Sequence, residues 1–243
     1  MHPDERIDQL YGQTVKIIQS DEVFSFSLDA VLLADFTRIS RRSKAVDLCA
    51  GNGAVALFLS QKTSGPINLV EIQSRLADMA ARSVQLNHLE DRLHVYPIDL
   101  KDAPQTLKKD AYDVVTCNPP YFADQPHSQK NPNPYLAIAR HELKTDLNTV
   151  LATTSALLKT NGRASFVYRP DRFLEMCQKM VANRLIPKRI RFVYPFQNKD
   201  ANMFLIEAIK DGKPGGLHLE APLVVYDAPN QYTPEVQRLI YGD

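Results

Sequence analysis

At 243 residues the chain has room for one large domain or two small ones, and its composition, 44% hydrophobic and 23% charged, is that of an ordinary globular protein. Disorder, collagen and coiled coil are excluded, and the longest apolar runs, Ala30 to Ala34 and Ala54 to Leu59, fall far short of the roughly 20 residues of a membrane-spanning helix. The charged start MHPDERIDQLYG has no secretory apolar region, so a soluble, cytoplasmic protein with no membrane partner is expected. Cys49, Cys117 and Cys177 are too scattered for a disulfide framework and show no zinc-ligand spacing; free thiols and no metal are expected.

The net charge of +1 conceals an uneven distribution. Between Lys159 and Lys199 ten cations face two acids, which leaves −7 for the rest of the chain. Such asymmetry points to a polyanionic partner, against the plainer reading of a solvated helix face and strand edges.

In chain order, Thr14 to Ile18 and Val23 to Ser27 are short alternating runs, and a helix is predicted from Leu28 through Val31, Leu32, Leu33 and Phe36. Strand and helix signals then alternate. Ala45 to Leu48 is predicted as strand, Ala54 to Gln61 as helix, Ile67 to Ile72 as strand, Leu76 to Leu86 as helix and Leu93 to Ile98 as strand. Tyr112 to Cys117 is a further strand, stopped by Asn118-Pro119-Pro120-Tyr121, because consecutive prolines cannot continue inside a sheet. The Pro-, Asn- and Gln-rich stretch from Phe122 to Thr145 is long enough to be a functional loop. A helix over Asp146 to Leu158, a turn at Thr160-Asn161-Gly162, a strand over Arg163 to Tyr168 and a helix over Asp171 to Asn183 follow. The strands Lys188 to Tyr194 and Met203 to Ile209 have no helix between them, which requires an antiparallel hairpin. The whole reads as a doubly wound, mostly parallel α/β sheet of about seven strands with a C-terminal antiparallel hairpin. Residues 1–40 read as a strand and helix brace and residues 41–243 as the main domain, with a substrate loop at 122–145, the two forming one compact unit.

Val46-Asp47-Leu48-Cys49-Ala50-Gly51-Asn52-Gly53 falls where the first strand of the main domain turns into its helix, the place where open α/β sheets bind ligands. Gly51 and Gly53 permit close backbone approach. With Glu71 twenty residues on, the pattern also fits a dinucleotide fingerprint. Asp47 decides between them, because a carboxylate there repels a pyrophosphate and can pair with the ammonium of S-adenosylmethionine; the competing reading is a turn-capping carboxylate. Glu71 can accept from both ribose hydroxyls, or be an exposed strand-end acid. Asp99 can accept from the adenine amino group while the Ile98 backbone reads the ring edge; alternatively Asp99 caps the turn before Lys101.

Asn118-Pro119-Pro120-Tyr121 is the sharpest signal. An exocyclic amine is a poor nucleophile because its lone pair is delocalised into the ring. The Asn118 side-chain oxygen and the Pro119 carbonyl can hold its two hydrogens, the prolines stiffen that pair, and Tyr121 can stack on an extruded base. The bland reading is a tight turn. His141 in Arg140-His141-Glu142 is expected to be a loop contact, not a catalyst. Alternation along Lys188-Arg189-Ile190-Arg191-Phe192 puts Arg189 and Arg191 on one strand face, so these cations, with Lys188, Arg169 and Arg172, are expected to hold an RNA backbone.

The chain resembles the class I S-adenosylmethionine-dependent methyltransferases of the small-domain type with an NPPY motif, and among them the bacterial tRNA1(Val) adenine-N6-methyltransferase family. The resemblance is carried by Phe26-Ser27-Leu28-Asp29-Ala30-Val31-Leu32-Leu33-Ala34, Asp47 to Gly53, Asn118 to Phe122, Lys130-Asn131-Pro132, Ala139 to Glu142, Tyr194-Pro195 and Ala201-Asn202-Met203. It implies a Rossmann-like fold, cofactor contacts at Gly51, Gly53, Glu71, Asp99 and Asp29, adenine reception by Asn118 to Tyr121, and an RNA contact at Arg140. The implied activity is methylation of the N6 amine of an adenine beside the anticodon of a tRNA. Cys49 departs from the pattern, since a glycine usually stands there. The alternatives are methylation of a protein glutamine, as on a release factor, and a non-catalytic RNA-binding protein on the same fold.

Overall fold

Strands buried on both faces need mostly apolar residues, and the central segments have them: Ala45–Leu48, Ile67–Val70 and Tyr112–Cys117 are almost wholly buried. The computed structural model describes residues 1–10, 14–23, 28–121 and 145–242. Readings that concern Phe26, Ser27, Phe122, Lys130 to Pro132 and Ala139 to Glu142, Arg140 among them, lie outside the described residues.

Two N-terminal strands, β1 (Glu5–Leu10) and β2 (Val15–Ser20), form an antiparallel hairpin, and α1 (Leu28–Phe36) follows. The main run is β3 (Ala45–Leu48), α2 (Ala54–Leu59), β4 (Ile67–Val70), α3 (Ser74–Leu86), β5 (Leu93–Tyr96), the short α4 (Ala103–Thr106) and β6 (Tyr112–Cys117). It continues with α5 (Leu147–Leu157), β7 (Leu158–Tyr168), α6 (Phe173–Ala182), β8 (Leu185–Tyr194) and β9 (Met203–Lys210). The two-residue strands β10 (His218–Leu219) and β11 (Leu223–Val224), the small hairpin β12 (Tyr226–Ala228) and β13 (Gln231–Tyr232), and α7 (Pro234–Tyr241) end the chain.

The main sheet has nine strands in the order β10, β8, β9, β7, β6, β3, β4, β5, with β11 also beside β8. All pairs are parallel except those of β9, which runs antiparallel to both β7 and β8. The expected hairpin is therefore present, with its second strand inserted next to β7. Two apolar clusters fill the two faces. Ala45, Val114, Val167 and Leu205 meet α1 and α2 on one side, while Val46, Val115, Phe166 and Ile206 meet α5 and α6 on the other. Neighbouring residues on one strand thus serve opposite layers.

Three local readings need correction. The first ten residues carry a strand, β1, that the sequence pattern did not signal; it is tied down by Glu5 and Asp4, which pair with Arg82 and Arg75 of α3. Thr160-Asn161-Gly162 is a bulge inside β7, not a turn ahead of it: Tyr112 pairs with Leu158 and Val114 with Arg163, so β7 accommodates the extra residues with Asn161 at φ 65. The chain after β9 adds strands to the sheet edge and places Val236 of α7 in the core with α1.

That C-terminal cover corrects the reading of the cationic strand. Arg189 and Arg191 do share a face of β8, but the face is closed. Arg189 is 7% exposed; its guanidinium bonds the carbonyl of Phe36 at the end of α1, lies 3.8 Å over the Phe36 ring, and pairs with Glu207 and Glu220. A cation at a helix C-terminus also complements the helix dipole. Glu207, fully buried on β9, takes Arg163 as its second partner at 2.7 Å. Arg191 reaches Glu235 of α7 and the carbonyl of Ala221. Lys188 bonds the carbonyls of Lys213 and Gly215, and Arg172 holds Glu175 and the Tyr168 hydroxyl. Arg169 pairs with Asp171 and keeps 42% of its side chain exposed. The acidic partners lie 18 to 44 residues from Arg189 and Arg191 in sequence, and Phe36 lies 153 away, beyond the reach of local pattern reading.

Breaking a buried pair by removing one member strands the other charge. Arg189→Ala should lower the unfolding free energy by about 3 kcal/mol or more, whereas removal of the exposed Arg42 should stay within about 0.5 kcal/mol. Urea denaturation of both variants checks this, and equal midpoints would contradict the structural role of Arg189.

Candidate functional site

The β3, β6 pair is where the sheet reverses its winding: β4 and β5 lie to one side of β3, β6 and β7 to the other. The carboxyl ends of strands at such a point form a ligand-binding crevice in α/β sheets. Cys117, Leu48, Val70 and Tyr96 lie in one register row across β6, β3, β4 and β5. Asn118, Cys49 and Glu71 each stand one residue past that row. Of the sequence-predicted residues, register brings Glu71 and Asn118 together here.

Glu71 fixes the geometry of this edge. One of its oxygens accepts the Gly51 amide at 2.8 Å and the other the Gln73 amide at 2.8 Å. The carboxylate keeps acceptor capacity beyond these bonds. Burial pushes the Glu71 carboxyl up, opposed by the Gln73, Gly51 and Ile72 amides. The glycine turn itself is built from left-handed residues: Cys49 at φ 55, Gly51 at φ 56 and Gly53 at φ 90. Cys49 thus takes the backbone conformation that a glycine favours, and the departure from the usual glycine leaves the path of the turn left-handed. A Cβ on Gly53 would meet Leu69 at 3.2 Å and Ala80 at 3.3 Å, so α3 packs against it closely. Buried Asn52 donates from its side chain to the Ile18 carbonyl at 3.0 Å, joining the turn to β2.

Asp47 is 1% exposed on the α1, α2 side of β3. Its Oδ1 accepts from the Thr116 hydroxyl at 2.7 Å, and its Oδ2 is buried with no hydrogen-bond partner. Burial pushes this carboxyl up to about 7; Thr116 and the Ala56 amide favour the charge and Glu71 opposes it. An orphaned carboxylate oxygen beside a glycine turn fits a ligand that brings its own cation.

At the next strand, Asp99 lies three residues past β5 rather than at its end. It caps a 3₁₀ turn, accepting the Lys101 amide at 3.1 Å, and pairs with the Lys101 ammonium at 3.1 Å. The alternative reading of Asp99 as a cap is therefore realised, with one lone pair on each oxygen left over. Ile98 is half-buried against the α5, α6 cluster. Ile72, 39% exposed directly after Glu71, was not singled out from the sequence. Its signal is an apolar side chain following a strand-end acid, the arrangement that leaves an apolar surface beside a polar anchor.

Pro119 and Pro120 are buried, and Asn118 and Tyr121 are half-buried. The Tyr121 hydroxyl lies 2.5 Å from Asp29 Oδ2 and in hydrogen-bond contact with Asn118 Oδ1. Its ring meets Tyr168 edge-on, centroids 5.6 Å apart. Asp29 is therefore at this end of the site, in the first turn of α1. The cysteines are free, and burial with the neighbouring Cys49 raises the Cys117 thiol well above its ordinary range, which makes it a poor nucleophile.

A family model described as the methyltransferase small domain matches residues 14–180. The tRNA1(Val) (adenine(37)-N6)-methyltransferase of Aliivibrio salmonicida (strain LFI1238) is 28% identical over 186 residues, 74% of this chain and 75% of that protein. The protein of the same name from Parabacteroides distasonis is 26% identical over 209 residues, 84% of this chain and 86% of that one. In fold, the chain is similar to the crystal structure of a predicted O-methyltransferase from Agrobacterium tumefaciens, with a TM-score of 0.69 and 24% identity over 87% of this chain and 94% of that chain. Among the described residues no helix is long and apolar enough to cross a membrane.

Asp47 carries a pH signature. Its carboxyl is pushed up to about 7 in the folded chain from an ordinary value of 3.8 in the unfolded one, so between those values the folded chain holds a proton that the unfolded chain has released. Stability contributed in this way falls as pH rises through the window. Asp47→Asn should flatten that decline and be more favourable relative to wild type at pH 8 than at pH 5. Urea unfolding at the two pH values checks the sign; parallel curves for the two proteins would contradict it.

Proposed function

The chain belongs to the methyltransferase small domain family, and we propose that it transfers a methyl group from S-adenosylmethionine to the N6 amine of an adenine in tRNA, at position 37 of the tRNA1(Val) type. One observation carries the reading: the Glu71-clamped glycine turn and Asn118 lie one residue past the same register row, which sets a cofactor cradle beside a pair of amine acceptors.

The residues fit the cofactor by their chemistry. The unpartnered Asp47 Oδ2 is a partner for its ammonium, the free lone pairs of Glu71 for its ribose hydroxyls, and the Ile72 and Ile98 side chains for the faces of its adenine. Asp99 is the acceptor for the adenine amine. Gly51 and Gly53 keep Cβ atoms out of the turn. When bound, the cofactor supplies an electrophilic methyl on a sulfonium.

The chain's part in the reaction is to aim a weak nucleophile. Asn118 Oδ1 and the Pro119 carbonyl hold the two amine hydrogens and turn the lone pair toward the methyl group. Productive attack needs the reacting atoms about 3–3.5 Å apart and in line. The amine becomes acidic once it carries the methyl, so no general base is needed to remove its proton. Pro119 and Pro120 have restricted backbones, which holds both acceptors without an entropic cost at the moment of reaction. Of the cations, Arg169 keeps enough exposure to meet a phosphate; Arg189 serves α1 instead.

Labelled methyl from S-adenosylmethionine, followed by nucleoside digestion of the tRNA, tests the proposal: label should appear as N6-methyladenosine. Label on a protein glutamine, or none, would replace the reading with one of its alternatives. Asn118→Ala should leave cofactor affinity nearly unchanged and lower turnover by about a hundredfold or more, the scale for losing one oriented polar contact at a reacting centre. Glu71→Ala should weaken cofactor binding by about 1.5–3 kcal/mol, the range for hydrogen bonds to a charged group, as read by calorimetry.

A further inference from the structure

Tyr121 has one proton and two oxygens competing for it. The hydroxyl touches Asp29 Oδ2 at 2.5 Å and Asn118 Oδ1 in the same arrangement. A phenol serves one acceptor at a time. Burial and the Asp29 charge hold its pKa well above the ordinary tyrosine range, so the proton stays on the phenol.

The choice of acceptor matters because Asn118 Oδ1 is the atom assigned above to the substrate amine, and this inference rests on that reading. A phenolic proton given to Asn118 occupies the lone pair that faces it and draws the side chain toward Tyr121. Given to Asp29, it leaves Asn118 free. A carboxylate is the better acceptor, since charge-assisted hydrogen bonds are roughly twice as strong as neutral ones. The ring is fixed by its edge contact with Tyr168, and the exchange requires only rotation of the O–H about the ring–oxygen bond. Asp29 is itself held: it is 8% exposed and sits in the first turn of α1, whose other end is capped by Arg189.

We propose that Asp29 is a positioning residue, which draws the phenolic proton of Tyr121 away from Asn118 and so keeps the Asn118 side-chain oxygen open for the exocyclic amine. No bond is made or broken in this step. It differs from the role that family resemblance suggests for Asp29, a direct contact with the cofactor, and predicts a different kinetic signature. A residue that acts on the amine acceptor changes kcat, whereas one that only binds cofactor changes its KM.

The test is a double-mutant cycle with the full-length enzyme, in which kcat and the KM for S-adenosylmethionine are measured on saturating tRNA for wild type, Asp29→Ala, Tyr121→Phe and the double variant. Asp29→Ala should lower kcat about tenfold or more and leave the KM within about twofold. In the Tyr121→Phe background, which has no phenolic proton to misdirect, the same change should cost less than about twofold. Asp29→Asn, which keeps an acceptor oxygen but no charge, should fall between wild type and Asp29→Ala, and it carries the cycle if the alanine variant fails a thermal-melt check. Equal losses in both backgrounds, a raised KM with unchanged kcat, or no loss at all would each overturn the proposal. The cycle can be run on whatever amine the wild type methylates, so its failure is separable from failure of the tRNA reading, which the nucleoside digest decides.

Discussion

The carboxylate of Glu71 accepts one amide from each of two chain reversals, Gly51 after β3 and Gln73 before α3, and the carboxyl edge of the sheet takes its shape from that constraint. A strand end that is buried must find partners for its polar groups, and here one side chain satisfies both turns. Because β3 and β4 are held in parallel register up to Leu48 and Val70, the clamp also determines where α2 and α3 begin. Gly53 then has to let α3 approach, and its left-handed φ and the tight contacts a Cβ would make with Leu69 and Ala80 follow from that approach. The cradle proposed for the cofactor is in this sense a by-product of closing a parallel sheet at its switch point.

The helix α1 connects this edge to β8, across the sheet. All of its residues from Asp29 to Phe36 except Asp35 are buried, so it has no solvent face to speak of and behaves as a core element. Its N-terminal turn presents Asp29 to Tyr121, and its last carbonyl is taken by Arg189. An acid in the first turn and a cation at the last turn both complement the helix dipole. The Arg189, Glu207, Arg163 cluster lies on the same face of the sheet as Asp47, the face that α1 covers. Disturbing either end tilts or frays the element that carries Asp29.

What was legible in the sequence follows from the range of the interactions involved. Strand and helix alternation from Ala45 to Asn183, the antiparallel final pair, the glycine turn and the proline stop after Cys117 are local patterns, and each is present in the fold. Meeting of Glu71, Cys49 and Asn118 at one edge follows from parallel strands that end in one register row, and the parallel order is what alternation implies. The cations were different. Lys188, Arg189 and Arg191 form a cationic strand in sequence, but Glu207, Glu220 and Glu235 reach them only through tertiary contacts, so a count of charge over one segment overstated what faces solvent. The same holds for β1, whose pairing with α3 rests on Asp4 and Glu5 meeting arginines some seventy residues away. Asp99 shows a third case: its capping role and its binding role are equally compatible with an acid before Leu100-Lys101, and the structure realises the cap without using all of its lone pairs.

The chemistry of the edge suits a cationic ligand better than a dinucleotide. Asp47 and Glu71 are both buried with raised carboxyl pKa values, and the Glu71 charge disfavours that of Asp47. Two acids in a low-dielectric site cannot both ionise cheaply without a nearby positive group. Thr116 and four backbone amides offset part of the cost, but Asp47 Oδ2 is left without a donor. A pyrophosphate would add two further negative charges to this arrangement, whereas a ligand with an ammonium and a sulfonium removes the repulsion that the protein leaves uncompensated. Ligand binding that relieves a native-state cost appears as added stability of the folded chain, and under the proposed function the ammonium of S-adenosylmethionine is the group that would supply it at Asp47.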